Sequence, residues 1–165
     1  MTQAPERTRF TSIAVLVALL LLCLGVGQWG AAVTLEPVRS WYPTLIKPAW
    51  TPPDWAFPVV WTALFIVMAI AAWLVWRAAP LARIRLAGAV FLLQLLLNGL
   101  WSYLFFGLRS PAYGLIEIVI LWLTILATIL LFRPVSKTAA WLLLPYLIWV
   151  SYATALNFEI WRLNA

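Results

Sequence analysis

Few side chains in this sequence could carry acid–base, nucleophilic or metal chemistry. The 165 residues include no histidine and one cysteine, Cys23, which lies within an apolar stretch. The composition therefore excludes histidine-based triads, histidine-ligated haem and the common zinc sites. A glycine-rich phosphate loop is also missing. We expect no catalytic residues, no metal and no cofactor.

Of the acidic residues, only Glu117 lies well inside an apolar segment. The five acids are Glu6, Glu36, Asp54, Glu117 and Glu159. A carboxyl group within a membrane segment is costly and often functional. The alternative is a protonated or hydroxyl-bonded side chain that faces another helix, and the sequence leaves both interpretations open.

Two amides and two aromatic rings share one face of a predicted helix. At about 100° per residue, Gln94, Asn98, Trp101 and Phe105 fall within about 60° of one another. Because amides are costly against lipid, this face is expected to point inward. It either forms hydrogen bonds between helices or lines a ligand cavity, and the bulky rings favour the cavity.

Two further helix faces are aromatic. One consists of Trp141, Pro145, Trp149, Tyr152 and Leu156, with Ala153 and Asn157 on its flank; the other consists of Pro58, Trp61, Phe65 and Ala72. Proline interrupts a helical hydrogen-bond ladder and can open space between neighbouring helices. Together the three faces predict a cavity for a large, flat, apolar molecule with a few polar edges.

The segments that carry these faces are long enough to cross a membrane. The chain is 65% apolar and 10% charged, with a mean hydropathy of +0.99. A helix needs roughly 20 apolar residues to span a bilayer. We predict an all-α membrane protein, a single bundle with spans at about 10–29, 55–76, 86–107, 112–132 and 139–161. Short connections make consecutive spans antiparallel neighbours.

The long connection, Gly30 to Asp54, is expected to lie over one mouth of the bundle. It contains the segment Trp41 to Trp55, here called the aromatic loop, which holds three Trp and four Pro. Proline excludes a regular helix or central strand there. Indole rings in such a loop favour a membrane interface or the wall of a ligand cavity.

Basic residues predict a cytoplasmic N-terminus, with the aromatic loop on the other side. The N-terminal side has Arg7, Arg9, Arg77, Arg83, Arg85, Arg133 and Lys137, against Arg39, Lys47, Arg109 and Arg162 opposite. The charge pattern indicates lipid headgroups rather than nucleic acid. An alternative interpretation of the first span is a cleaved signal peptide.

An ordered series of short motifs resembles the TspO/MBR family, which includes the mitochondrial translocator proteins. The matching residues are Trp41-Tyr42, Lys47-Pro48, Trp50, Pro52-Pro53, Phe57-Pro58, Trp61-Thr62, Gln94-Leu95, Asn98, Trp101, Phe105-Phe106-Gly107, Pro145-Tyr146-Leu147, Trp149, Ala153, Leu156-Asn157 and Leu163-Asn164. The resemblance covers nearly the whole chain beyond the first span.

This resemblance implies a five-helix bundle, commonly a homodimer, with a pocket beneath the aromatic loop. Members bind porphyrins such as protoporphyrin IX, sterols and synthetic benzodiazepine-type ligands. The positions implied for the pocket are Tyr42, Pro52, Trp61, Asn98, Trp101, Trp149, Ala153 and Leu156, to which the helix faces add Phe65 and Gln94.

Two positions depart from the family pattern. Phe65 stands where many members have Tyr, which removes a polar contact. Phe158 stands at the Tyr of a proposed sterol motif, and also where some members have a second Trp implicated in light-driven porphyrin degradation. Neither sterol specificity nor photochemistry is therefore predicted.

The leading hypothesis is a multipass membrane receptor or carrier for porphyrins, with the aromatic loop as a lid and Gln94 and Asn98 at the polar edges of the ligand. A porphyrin-degrading membrane enzyme is the alternative. A structural or regulatory partner, with Gly25, Gly27 and Ala31 in a helix contact, is a third class. A bacterial membrane is favoured over the mitochondrial outer membrane.

Overall fold

The computed structural model describes residues 8–165 as a bundle of helices. The helices are α1 (Arg9–Ser40), α2 (Ala56–Ala78), α3 (Leu81–Ser102), α4 (Pro111–Phe132), α5 (Lys137–Leu142) and α6 (Leu144–Asn164). Five stretches are long and apolar enough to span a membrane, with α5 and α6 together forming the fifth. This confirms the predicted all-α, five-span membrane fold. Arg7 and Glu6 lie outside the described residues.

The first helix is longer than the predicted span, which ended near Trp29. It continues to Ser40, because the residues after Trp29 include good helix formers such as Ala31, Ala32 and Leu35. Pro37 lies inside this helix and lacks the N–H for the bond to the Val33 carbonyl, but the helix continues for one more turn, and the Pro37 carbonyl accepts from the Trp41 N–H at 2.9 Å. Much of the predicted connection is therefore helix, and only Trp41 to Trp55 crosses the mouth.

The fifth span is interrupted at Leu143, between α5 and α6. Pro145 follows in the first turn of α6, where its missing N–H costs nothing. The break changes the helical phase, so Trp141 does not continue the face of Trp149 and is exposed. Pro145 lies on the Trp149 side of α6 but is exposed at the start of that helix, so the predicted inward stripe does not extend to these two residues. Pro58 likewise lies in the first turn of α2 and does not interrupt that helix.

The third span ends in a wider turn, Tyr103–Gly107, with π-helical geometry. The Leu108 N–H bonds to the Tyr103 carbonyl at 2.8 Å, and the Ser110 N–H to the Phe105 carbonyl at 3.1 Å. This extra residue per turn lets Phe105 and Phe106 both turn inward.

Two apolar clusters fill the bundle. The larger one occupies the end opposite the aromatic loop and includes Met68, Phe91 and Phe132. The smaller one lies beneath the loop and joins Tyr42, Phe105, Phe106, Leu156 and Ile160. The space between the clusters is incompletely filled, and the candidate site lies there.

Candidate functional site: an aromatic cavity beneath the loop

A cavity of about 470 Å³ opens at the loop end of the bundle. Its walls come from α1, the aromatic loop, α2, α3 with its π-helical turn, and α6. Its lining residues are Leu24, Val26, Gly27, Gln28, Gly30, Ala31, Thr34, Leu35, Val38, Arg39, Tyr42, Asp54, Phe57, Pro58, Trp61, Thr62, Phe65, Asn98, Gly99, Trp101, Ser102, Phe105, Phe106, Ala153, Leu156, Asn157 and Ile160. Cavities of this size commonly hold ligands of drug or cofactor size.

The structure brings most of the predicted site residues together around this cavity. Tyr42, Trp61, Phe65, Asn98, Trp101, Ala153 and Leu156 line it. Trp149 instead lines a side pocket of about 30 Å³, which also touches Trp61, Asn98 and Trp101. Pro52 and Gln94 line neither pocket. A ligand role for any of the ten stays a prediction.

Gln94 is engaged within the protein core and lies below the cavity. Tyr146 O–H donates to Gln94 Oε1 at 2.9 Å, and the Asn98 amide donates to the Tyr146 oxygen at 2.8 Å. Gln94 is only 1% exposed. Gln94 therefore forms hydrogen bonds between helices and does not line the cavity. Asn98 does both, because it bonds to Tyr146 and also borders the cavity.

The aromatic walls are held by ring packing and a hydrogen-bond chain. Trp101 stacks on Phe105 with ring centroids 5.1 Å apart, and Trp61 lies 5.8 Å from Phe65. Trp101 Nε1 donates to Asn157 Oδ1 at 3.1 Å, and the Asn157 amide donates to the Pro111 carbonyl at 2.8 Å. Because both ends of this chain are satisfied, the Trp101 ring is fixed in orientation.

The aromatic loop is fastened over the mouth by hydrogen bonds to α6. The Ile46 N–H donates to Asn164 Oδ1 and the Asn164 amide donates to the Ile46 carbonyl, both at 2.9 Å. Tyr152 O–H donates to the Trp50 carbonyl at 2.6 Å. The loop therefore covers the cavity in a closed conformation.

Tyr42 anchors the first part of the loop. Its ring packs on Phe105 and Phe106, and Lys47 Nζ lies 4.5 Å from its ring centroid. Burial, with smaller contributions from Asp54 and Tyr152, raises the pKa of the Tyr42 phenol to about 12. Tyr42 is thus neutral at physiological pH and acts as an aromatic wall.

The whole α1 wall was missed from the sequence, because the prediction treated Gly30 onward as a connection. One signal was present in the spacing of small residues, since Gly27, Gly30 and Ala31 lie on one helix face. A Cβ on Gly27 would lie 2.6 Å from Phe65 Cε2, and one on Gly30 would lie 2.9 Å from Ser102 Oγ. Gly27 therefore packs inside its own bundle, whereas Ala31 lines the cavity and is also exposed, so a partner contact through Gly25 and Ala31 stays a prediction.

Glu117 does not line the cavity. It is 4% exposed on α4, and both of its carboxyl oxygens lack a hydrogen-bond partner among the described residues. An unpaired buried charge is strongly unfavourable, which favours the neutral acid. At the surface, Glu36 pairs with Arg109 at 3.1 Å and Glu159 pairs with Arg162.

The cavity is lined mainly by apolar and aromatic side chains, which suit an apolar ligand. In residues 8–165, no group of three or more metal-ligating side chains is present. The polar side chains of the lining carry amides, hydroxyls and the indole N–H groups of Trp61 and Trp101, with Arg39 and Asp54 at the rim. Fold and site together define a five-span membrane protein with an aromatic binding cavity closed by a tryptophan- and proline-rich loop.

Comparison with known sequences identifies the family. The profile of the TspO/MBR family matches residues 17–162, and the chain belongs to this family. The predicted resemblance is confirmed.

The chain is similar to microbial and mammalian proteins over three quarters of its length or more. The chain is 49% identical to the tryptophan-rich protein TspO of Chlorobaculum tepidum over 87% of this chain and 91% of that protein. It is 39% identical to protein CrtK of Rhodobacter capsulatus, over 93% and 94% of the two chains. It is 35% identical to the human translocator protein, over 75% of each chain.

Proposed function

We propose that this chain is an integral membrane receptor or carrier that binds porphyrins such as protoporphyrin IX in the aromatic cavity. The observation that carries the proposal is the cavity of about 470 Å³ with Trp61, Phe65, Trp101 and Phe105 in its walls. Aromatic faces bind flat conjugated rings by stacking and edge contacts. Sterol-like and benzodiazepine-type molecules belong to the same broad class of large apolar ligands.

Asn98 is the interior group best placed to meet a polar edge of the ligand. One N–H of its amide is engaged with Tyr146, so its carbonyl oxygen can accept from a ligand N–H and its second N–H can still donate. Gln94, which was predicted to share this role, is committed to Tyr146 and lies outside the cavity. The proposal therefore assigns the polar contact to Asn98 alone.

Tryptophan fluorescence of the purified protein tests the binding. Protoporphyrin IX should quench it saturably, and Trp61→Ala should weaken binding about tenfold through the loss of one stacking face. Trp141→Ala is the matched control, because Trp141 is 69% exposed and lies away from the cavity. Quenching by the parent protein that never saturates, as in empty detergent micelles, would refute the proposal.

The role of Asn98 can be separated from its part in the core network. Asn98→Ala should weaken porphyrin binding by about 1 kcal/mol, or roughly fivefold, through the loss of one hydrogen bond. Tyr146→Phe removes the same Asn98–Tyr146 bond but keeps the Asn98 carbonyl, and should leave binding within about twofold. Equal losses in both variants would contradict a direct contact from Asn98.

The membrane setting extends the proposal. We place the N-terminus on the cytoplasmic side of a bacterial membrane and expect a homodimer. Leucines exposed along α3, including Leu92, Leu93 and Leu96, would face lipid in a monomer and either lipid or the second subunit in a homodimer. Mass measurement of the detergent-solubilised protein, with bound detergent subtracted, distinguishes dimer from monomer.

A further inference from the structure

The cavity has a side opening between α1 and α2. Several of its lining residues are also exposed: Gln28, Ala31 and Leu35 on α1, with Pro58 and Thr62 on α2. Residues three, four and seven apart share a helix face, so each set forms one edge of a continuous gap. We call this gap the slit. Both edges belong to helices long and apolar enough to span a membrane, so the slit would open toward the lipid side of the bundle.

The slit ends where the two helices meet. Below it, toward the centre of the membrane, Gly27 allows α1 to contact the Phe65 ring of α2 directly. Nearer the loop, α1 contacts α3 instead, where Gly30 packs against Ser102. The Glu36–Arg109 ion pair then joins the end of α1 to the connection between α3 and α4. The loop-end half of α1 therefore packs on α3 and leaves a gap toward α2.

The opening beneath the aromatic loop is closed more firmly than the slit. Passage there requires release of the paired hydrogen bonds between Ile46 and Asn164, and of the bond from Tyr152 to Trp50. By contrast, no hydrogen bond or ion pair between described residues joins Gln28, Ala31 or Leu35 to Pro58 or Thr62. Only Cys23, Gly30 and Pro37 are buried among the residues of α1, all of which the structure describes. The loop-end half of α1 is therefore held on the α2 side without a hydrogen bond, so a small local displacement there is easier than release of the loop.

We propose that the ligand passes between the cavity and the lipid phase through the slit, while the aromatic loop stays closed. The occupant of the slit is a lipophilic molecule already dissolved in the bilayer, of the porphyrin class. This inference rests on the proposed function. Such a molecule concentrates in the membrane by burial of apolar surface, so a lipid-side opening meets it where it is most abundant.

A bulky substitution at the edge of the slit tests this passage. Ala31→Trp places an indole in the slit, whereas Ala32→Trp adds the same ring one position round the exposed surface of α1, away from the cavity lining. Asn164→Ala loosens the loop instead. Each protein is reconstituted in liposomes, and the rates of tryptophan quenching by membrane-dissolved protoporphyrin IX and of its recovery on transfer to excess empty liposomes are followed.

Ala31→Trp should slow both uptake and release by about tenfold, whereas mere damage to the cavity wall would speed release. Ala32→Trp and Asn164→Ala should both stay within about twofold of the parent rates. The slit is ruled out if Ala31→Trp leaves both rates unchanged, if it raises only the release rate, or if Asn164→Ala speeds uptake severalfold. Saturable binding by the parent separates these outcomes from failure of the proposed function, since its absence refutes both.

Discussion

Gly27 shows how one residue without a side chain determines the shape of the cavity. It lies on α1 where the Phe65 ring of α2 approaches within the space a methyl group would need. The contact closes the cavity floor and sets the lower end of the slit. A Cβ added to Gly25, two positions earlier, would have no atom within 4 Å. Gly25 is therefore a matched control for a substitution at Gly27.

Gly27→Ala should destabilise the protein by about 1–3 kcal/mol, because the buried Phe65 ring must leave its position. Gly25→Ala should be neutral or stabilising by up to about 1 kcal/mol, since alanine is the better helix former and meets open space. Thermal unfolding in detergent measures both. Equal midpoints for the two variants would contradict the close α1–α2 contact.

The Tyr42 phenol predicts a pH dependence at the mouth. Burial raises its pKa from 10.0 to about 12, so the folded protein keeps a proton that the unfolded chain loses. Its contribution to stability is fully present below pH 10 and is lost as the pH rises toward 12. At pH 11 the loss is about 1 kcal/mol.

Tyr42→Phe keeps the ring packing against Phe105 and Phe106 but removes the titrating group. Its thermal midpoint should match that of the parent at pH 9 and exceed it at pH 11. Comparing the two proteins at each pH removes the effect of other groups that titrate in this range. A parent that loses no more stability than Tyr42→Phe would show that the phenol is not buried as described.

Among the elements, helix number and the inward faces of α2 and α3 could be predicted, but two helix ends could not. Apolar length and amide–aromatic periodicity are local properties of the sequence, and the faces that they predicted carry Trp61, Asn98 and Trp101, which line the cavity. Ala31, Ala32 and Leu35 permit the extension of α1 past Trp29, but Gly30 and Pro37 are poor helix formers, so local propensity alone did not indicate where α1 ends. The break at Leu143 and the π-helical turn at Tyr103 could not be predicted either, because helix faces were assigned at a constant 100° per residue.

Two side chains of α6 fasten the aromatic loop, Tyr152 at Trp50 and Asn164 at Ile46, and Asn164 supplies two of the three hydrogen bonds. Asn164→Ala removes two hydrogen bonds to Ile46, at a net cost of about 1–3 kcal/mol for local closure. The Ile46 amide should then exchange with deuterium about 5- to 100-fold faster. The Thr51 amide, held by the Pro48 carbonyl at 3.0 Å inside the loop, serves as the internal control.

Little change at Ile46 would mean that the loop is held by its ring packing, chiefly Tyr42 on Phe105 and Trp50 on Tyr152. A large increase at both Ile46 and Thr51 would instead indicate that the whole loop unfolds as one unit. The expected result, an increase confined to Ile46, is the one that identifies Asn164 as the clamp.

In the molecule as a whole, the two ends of the bundle differ in their balance of basic and acidic side chains. Acidic partners accompany Arg109 and Arg162 at the loop end, through Glu36 and Glu159. The opposite end has Arg77, Arg83, Arg85, Arg133 and Lys137, with no acidic residue nearby in its connections. Basic residues in short connections are retained on the cytoplasmic side during insertion. The unequal distribution therefore favours an aromatic loop that faces away from the cytoplasm.

Labelling of introduced cysteines in intact bacterial cells tests this orientation. Pro53 in the aromatic loop and Pro134 between α4 and α5 are both exposed prolines in connections, so Pro53→Cys and Pro134→Cys form a matched pair. The native thiol, Cys23, is 0% exposed and contributes little background. A membrane-impermeant maleimide should label Pro53→Cys in intact cells, and Pro134→Cys only after lysis. The reverse pattern would place the N-terminus outside and the loop with its cavity on the cytoplasmic side.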